Sequence, residues 1–314
     1  MNAVALAGSK VVASGERGLI MLSDDGGTRW RQAKSVPVSV TLNRLFFVNE
    51  KTGWAVGHGG IVLGTNDGGE NWSVLLDGAR AAQLESDAAQ ADSGNSPRQK
   101  SAKRMVTEGP DKPFFDVHFR DEMNGIVIGA YGMLFVTEDG GKHWTSGMDR
   151  LDAPVERHLY SIQMVEQDIY ITGEQGLLYQ STDGGRKFQA LATPAKGTLF
   201  GLISTKTGHL LAYGLRGAIF RLDPGGGREW VRIDAPPITF TTGLLLKDGT
   251  LALANEAGQV FRSINNGVTF EMVTQAQASP VAAMTELTEG SVVLAGIRNL
   301  RVLAIDKKKV ESNK

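Results

Sequence analysis

The chain has 314 residues, with 33 Lys plus Arg against 34 Asp plus Glu, so a formal charge of -1 gives no global field to attract nucleic acid or an anionic membrane. The absence of cysteine excludes disulfides, thiolate zinc sites and cysteine nucleophiles, and no apolar run approaches the roughly 18 residues of a membrane span. Glycine, at 39 residues, exceeds its usual share of roughly 7% and argues for many tight turns.

Residues 1–13 are mildly apolar, lack a basic leading segment and run straight into a strand pattern, so they read as the start of a fold rather than as a signal peptide. Beyond them, β-branched and aromatic runs bounded by glycine mark strands. The first unit starts at Ala3. In the second, residues 45–48, 53–57, 61–65 and 72–76 read as four strands, innermost to outermost. The same order recurs from Phe115, Leu159, Leu199 and Thr239, and a last unit runs from Val281 through Val292 to Leu303. That makes seven units. The last supplies three strands, and its fourth is expected from residues upstream of Met1 or is missing.

A short phrase joins the third strand to the fourth. Ser23-Asp24-Asp25-Gly26-Gly27-Thr28-Arg29-Trp30 recurs around Asp67, Asp139 and Asp183 as S/T-x-D-x-G-x-x-W/F. A fifth copy has Asn265 for Asp, and a sixth, from Asp223 to Trp230, is longer. The third positions fall at 25, 67, 139, 183, 223 and 265, a period of about 42 residues broken by one interval longer by about 30, which fits one four-stranded propeller blade per repeat. In this Asp box the Ser/Thr hydroxyl and the carboxylate can accept backbone N–H bonds, Gly supplies the turn, and the aromatic ring is buried. Asn265 argues for structure over catalysis, because an amide oxygen keeps the turn bond but cannot replace a catalytic carboxylate. The predicted fold is therefore all-β: one seven-bladed β-propeller domain over 1–314, of four-stranded antiparallel blades.

The long interval is an insertion over 77–111, between the second and third units. Residues 79–91 read as a weakly amphipathic helix whose only large aliphatic residue is Leu84, and 93–97 break it. A basic run follows at Arg98, Lys100, Lys103 and Arg104. We expect a solvated, partly mobile excursion on the face opposite the Asp boxes, with a partner-docking arm as the functional alternative.

Ligands of propellers usually bind the face that gathers the second-to-third-strand turns. Those turns contribute Arg17, His58, Tyr131, Glu174, Arg216 and Arg298, which are expected around the mouth of the central channel. Arg17, Arg216 and Arg298 suit a carboxylate or phosphate, because a guanidinium fork binds such groups bidentately. The plainer alternative pairs them with Glu16, Glu174 and Glu256 or leaves them facing water. The five histidines lack metal-ligand spacing, and Gly225-Gly226-Gly227 lacks the Lys-Ser/Thr of a phosphate loop, so neither a metal nor a cofactor is expected.

The four regular boxes, Gly53-Trp54-Ala55-Val56-Gly57-His58-Gly59-Gly60 and Gly173-Glu174-Gln175-Gly176-Leu177-Leu178 make the chain similar to the BNR/Asp-box propellers of the photosystem II stability and assembly factor family, which has relatives in bacteria that do not photosynthesise. The resemblance covers nearly everything except 77–111, and Glu108-Gly109-Pro110-Asp111-Lys112-Pro113-Phe114 is similar to the phrase that closes this insertion in the bacterial relatives. It implies an extracytoplasmic propeller that helps a membrane protein complex assemble, its signal not being part of this sequence; we expect a non-catalytic monomer, and cytoplasmic residence stays open. Sialidases carry Asp boxes too, and Arg17, Arg216, Arg298, Tyr131 and Glu174 supply the residue types of their active sites. A glycoside hydrolase is therefore the alternative, although sialidases have six blades and an Arg-Ile-Pro phrase that is missing here.

Overall fold

The computed structural model describes residues 1–91, 96–152, 156–225, 229–274, 279–288, 290–296 and 299–305. Seven antiparallel sheets follow one another along the chain, six of four strands and the last, among the described residues, of three. The innermost strands are Ala3–Ala7, Leu42–Phe47, Phe114–Phe119, Leu159–Val165, Leu199–Ser204, Phe240–Leu245 and Val281–Thr288. Each neighbours its successor, and the first neighbours the last. The seven blades, numbered here in chain order, therefore close into a propeller.

Packing closes the ring. The amino group of Met1 donates to Gly296 O at 2.7 Å. Val4, Val11 and Ala13 of blade 1 share a buried cluster with Ala283, Val293 and Ala295 of blade 7, and Trp30 packs against it. The other box aromatics repeat this move: Trp72 joins the core between blades 1 and 2, Trp144 that between blades 2 and 3, and Phe188 that between blades 3 and 4. Each ring thus locks its blade to the one before it, where an apolar ring removes the most surface from water. Trp54 adds a second lock by stacking on Phe119 at 3.4 Å between ring centroids.

The Asp boxes make the expected turn. Ser23 Oγ donates to Asp25 Oδ1 at 3.0 Å and accepts from Gly27 N at 2.8 Å, while Asp25 Oδ1 accepts from Arg29 N at 2.8 Å. The boxes at Asp67, Asp139 and Asp183 repeat this pattern. Asn265 Oδ1 accepts from Thr269 N at 3.1 Å, so the amide does keep the turn. Part of the longer box at Asp223 falls on residues 226–228, outside the described residues.

Backbone donors from Arg29, His143 and Lys187 are the main pull holding Asp25, Asp139 and Asp183 below the usual carboxylate range; at Asp67 burial pushes the other way and is outweighed by Asn71, Thr65 and Glu70. A carboxyl with a depressed folded-state pKa adds stability that is present above its unfolded value of 3.8 and is lost as pH falls through the lower folded value. Acid unfolding of the wild type is therefore expected to steepen below about pH 4. Changing all four Asp to Asn should flatten that limb in denaturant titrations between about pH 4 and pH 2. An unchanged slope would remove the boxes from the acid response.

The insertion is a correction. Residues Gly78–Gln90 form a helix, α1, as expected in part, but Pro97–Glu108 form a second, α2. Pro97 starts α2 instead of only breaking α1, because Ser96 and Gln99 make a reciprocal capping box. Nor is the pair a solvated excursion. Ala81, Ala82 and Met105 enter the core between blades 2 and 3, and Glu85, 1% exposed, is gripped by Arg98 at 2.8 and 3.0 Å and bonded by Ser146 of blade 3. Arg104 and Ser101 reach Glu156 at 2.8 and 3.1 Å. The hairpin is a docked part of the propeller rim. As expected, it lies on the face away from the Asp boxes: it joins blade 2 to blade 3, and Gly78 packs over Gly60.

Candidate partner-binding face

In blades 1 to 5 the turn between second and third strands follows the phrase Gly-x-x-Gly: Gly15 to Gly18, Gly57 to Gly60, Gly129 to Gly132, Gly173 to Gly176 and Gly214 to Gly217. The closing glycine is required twice over. At Gly18, Gly176 and Gly217 φ is +69°, +74° and +74°, and an added Cβ would sit 2.0, 2.1 and 2.2 Å from the carbonyl oxygens of Val38, Ala195 and Pro236. Those carbonyls belong to the chain crossing to the next blade. The turn and the crossing chain therefore pack backbone to backbone and leave the residue before the glycine at the tip.

That tip residue is also left-handed, with φ near 55° at Arg17, Tyr131, Gln175 and Arg216, and Gly59 takes its place in blade 2. A side chain in this region costs roughly 1–2 kcal/mol. Arg17, Tyr131 and Arg216 are exposed. Among the described residues neither arginine forms an ion pair with Glu16, Glu174 or Glu256; both face water, the other half of the plainer alternative. His58 is exposed on the same face, and Arg298 lies outside the described residues.

The expected gathering of these residues at the channel mouth needs correction. None of Arg17, His58, Tyr131, Glu174 and Arg216 lines the central cavity of about 740 Å³. The reason is radial. The turn bridges the second and third strands, and each strand spacing of roughly 4.8 Å sets it further from the wall formed by the first strands.

The wall comes from a feature missed in the sequence. In blades 2 to 7 the first strand carries a β-bulge against the second, which leaves Asn43, Phe115, Tyr160, Phe200, Thr241 and Ala282 without a pairing partner. A bulge re-aims side chains locally, and these six residues line the cavity together with the successors Arg44, Asp116, Ser161 and Thr242. Phe115 stacks on Tyr160 at 5.0 Å, and Tyr160 meets Phe200 edge-on at 5.2 Å.

One network of contacts, centred on His158, links this wall to the turns. His158 Nδ1 accepts from Tyr131 N at 3.1 Å, and its ring meets Tyr131 at 4.8 Å and Phe115 at 5.8 Å. Glu174 Oε2 accepts from His158 N at 2.8 Å, and Lys112 Nζ lies 6.0 Å from the centre of the Tyr131 ring. Tyr131 and Glu174 are thus joined through His158, while Arg17 and Arg216 touch neither. The sialidase-like grouping is not assembled among the described residues. What is assembled is an aromatic path from an exposed tyrosine to the channel, bordered by Lys112, which Glu108 and Asp111 hold at 2.8 and 2.9 Å. Aligning the repeats on their first strands, rather than on their boxes, would have set Phe115, Tyr160 and Phe200 in one column.

The family model of the photosynthesis system II assembly factor YCF48 matches residues 6–83 and 97–232, more than half of the chain. The chain belongs to that family. A YCF48 relative from Synechococcus sp. (strain CC9902), a photosystem II assembly lipoprotein, is 42% identical over 84 residues, 26% of this chain and 24% of its own. The match thus spans about a quarter of that relative's length. A structure of YCF48 bound to D1 peptide aligns with a TM-score of 0.71 at 18% identity, covering 97% of this chain and 93% of the other. YCF48 from Cyanidioschyzon merolae gives 0.68 at 14%, covering 96% and 93%. An ancestral GH74 enzyme also reaches 0.71, at 12% identity, over 96% of this chain and 44% of the other. At such identities the likeness is one of fold, so for this YCF48-family chain it favours neither binding nor hydrolysis.

Proposed function

We propose that this propeller is a non-catalytic assembly factor that holds an extended, acidic segment of a membrane protein across its turn face, outside the cytoplasm. Membership of the YCF48 family supports the class, and the peptide-bound relative and the lipoprotein relative support the mode and the compartment. The observation that carries the site is the set of exposed, unpaired tips. Arg17 and Arg216 hold guanidinium forks in a strained backbone without a described acid to satisfy them, and strain of this kind persists where the side chain is used. His58, Tyr131 and Arg298 complete the contact set, and Glu174 acts through His158.

The test is capture of solubilised membrane proteins on immobilised wild type and on the Arg17→Ala, Arg216→Ala, Arg298→Ala triple variant. The variant should keep its stability within about 1 kcal/mol, because exposed charges contribute little. It should lose at least tenfold in capture, and wild-type capture should fall as salt rises past the roughly 10 Å screening length of about 0.1 M. Equal capture by a folded variant would move the site off these arginines.

A further inference from the structure

We infer that the central channel holds a second, separate site, which takes an organic carboxylate with a flat apolar body, gripped by Arg44 and laid against Phe115, Tyr160 and Phe200. Arg44 follows the bulge residue Asn43 and lines the cavity with these three rings. Its Nε stands 3.0 Å from Asp116 Oδ1, and its side chain is 45% exposed although it points into the channel. Among the described residues its two terminal nitrogens take part in no hydrogen bond.

The cavity is also lined by Glu166 and Lys206, while three polar side chains of the wall bridge neighbouring blades. Asn2 Nδ2 donates to Leu42 O at 3.4 Å, Asn43 Nδ2 to Phe114 O at 2.8 Å, and Thr241 Oγ1 to Val281 O, each on the next blade. Asp116 also bridges two blades. Its side chain is 3% exposed, and it accepts from Val117 N at 2.9 Å and from Ile162 N of blade 4 at 2.7 Å. A buried acid fixed by two backbone donors holds one edge of the guanidinium and leaves the other edge aimed at the cavity. That is a pre-positioned fork for a carboxylate. Beside it the rings offer an apolar surface, which suits a ligand with one charged end and one flat end.

The site does not rest on the turn-face reading, and its test uses different residues. Titration calorimetry would compare phenylacetate, as a free acid, with N-acetylglycylphenylalanine, as a chain terminus, and with phenylacetamide as the neutral control. Either acid should bind the wild type at least tenfold more tightly than the amide, and the stronger of the two identifies the source of the carboxylate. Arg44→Lys keeps a cation beside Asp116 while removing the fork, and should weaken the preferred acid at least tenfold. Phe200→Leu should weaken it severalfold without restoring the amide. Should Arg44→Lys fail to fold, the acid-to-amide ratio and Phe200→Leu still decide. No preference for acid over amide, or unchanged binding in folded Arg44→Lys, would overturn the site.

Discussion

Arg98→Ala is expected to destabilise the protein by about 3–5 kcal/mol, the range for stranding one member of a buried ion pair. Glu85 is 1% exposed and held bidentately, so without the guanidinium a buried carboxylate keeps only the Ser146 hydroxyl among its described partners. The helical hairpin can also undock locally, which would cap the loss seen in global unfolding. Hydrogen exchange of α1 should then accelerate before the blades respond. Replacing both partners, Glu85→Met with Arg98→Met, should recover most of the loss, because a matched apolar pair needs no charge compensation. A loss below about 1 kcal/mol in the single variant, in the range of surface pairs, would mean that Glu85 is not committed to Arg98.

A comparable loss, roughly 2–5 kcal/mol from left-handed strain plus overpacking, is expected for Gly176→Ala. Its new methyl would meet Ala195 O at 2.1 Å and Ala195 C at 3.0 Å, neither of them a flexible side chain that can step aside. Both are backbone, so the crossing to blade 5 must shift. Gly59→Gln is the control. Its φ is +70°, but the nearest atom to an added Cβ is Pro110 O at 3.5 Å, and blade 4 already carries Gln175 at the equivalent position. Only the left-handed cost of roughly 1–2 kcal/mol applies there. Equal losses in denaturant unfolding would refute the assignment of different roles to the two turn positions.

These contrasts explain how far the sequence could be read. The blades were legible because each box spends its residues on its own turn, so Ser23, Asp25, Gly27 and Trp30 carry their meaning locally. The helix α1 was half legible, since Leu84 gave a weak stripe. Its docking was not, because it depends on Ala81 and Ala82 allowing close approach and on Glu85 meeting Arg98 across the hairpin. Pro97 alone signals a break, whereas with Ser96 it opens α2. The turn tips were found by position, but sequence spacing holds no radial coordinate. Arg17 and Arg216 were therefore set too close to the axis, and the bulges that face Phe115, Tyr160 and Phe200 into the channel left no compositional mark.

The central claim is that the partner lies on the turn face. A photoreactive phenylalanine analogue at Tyr131 and another at His143, whose side chain is 88% exposed on the Asp-box face, would test it directly in the presence of solubilised membrane proteins. Both positions are open to solvent, and position 143 is the more exposed of the two, so a signal confined to position 131 reports the face and not accessibility. Crosslinking of a membrane protein from position 131, absent from position 143 and reduced by added salt, is the expected result. Crosslinking from position 143 alone would place the partner on the Asp-box face and contradict the account.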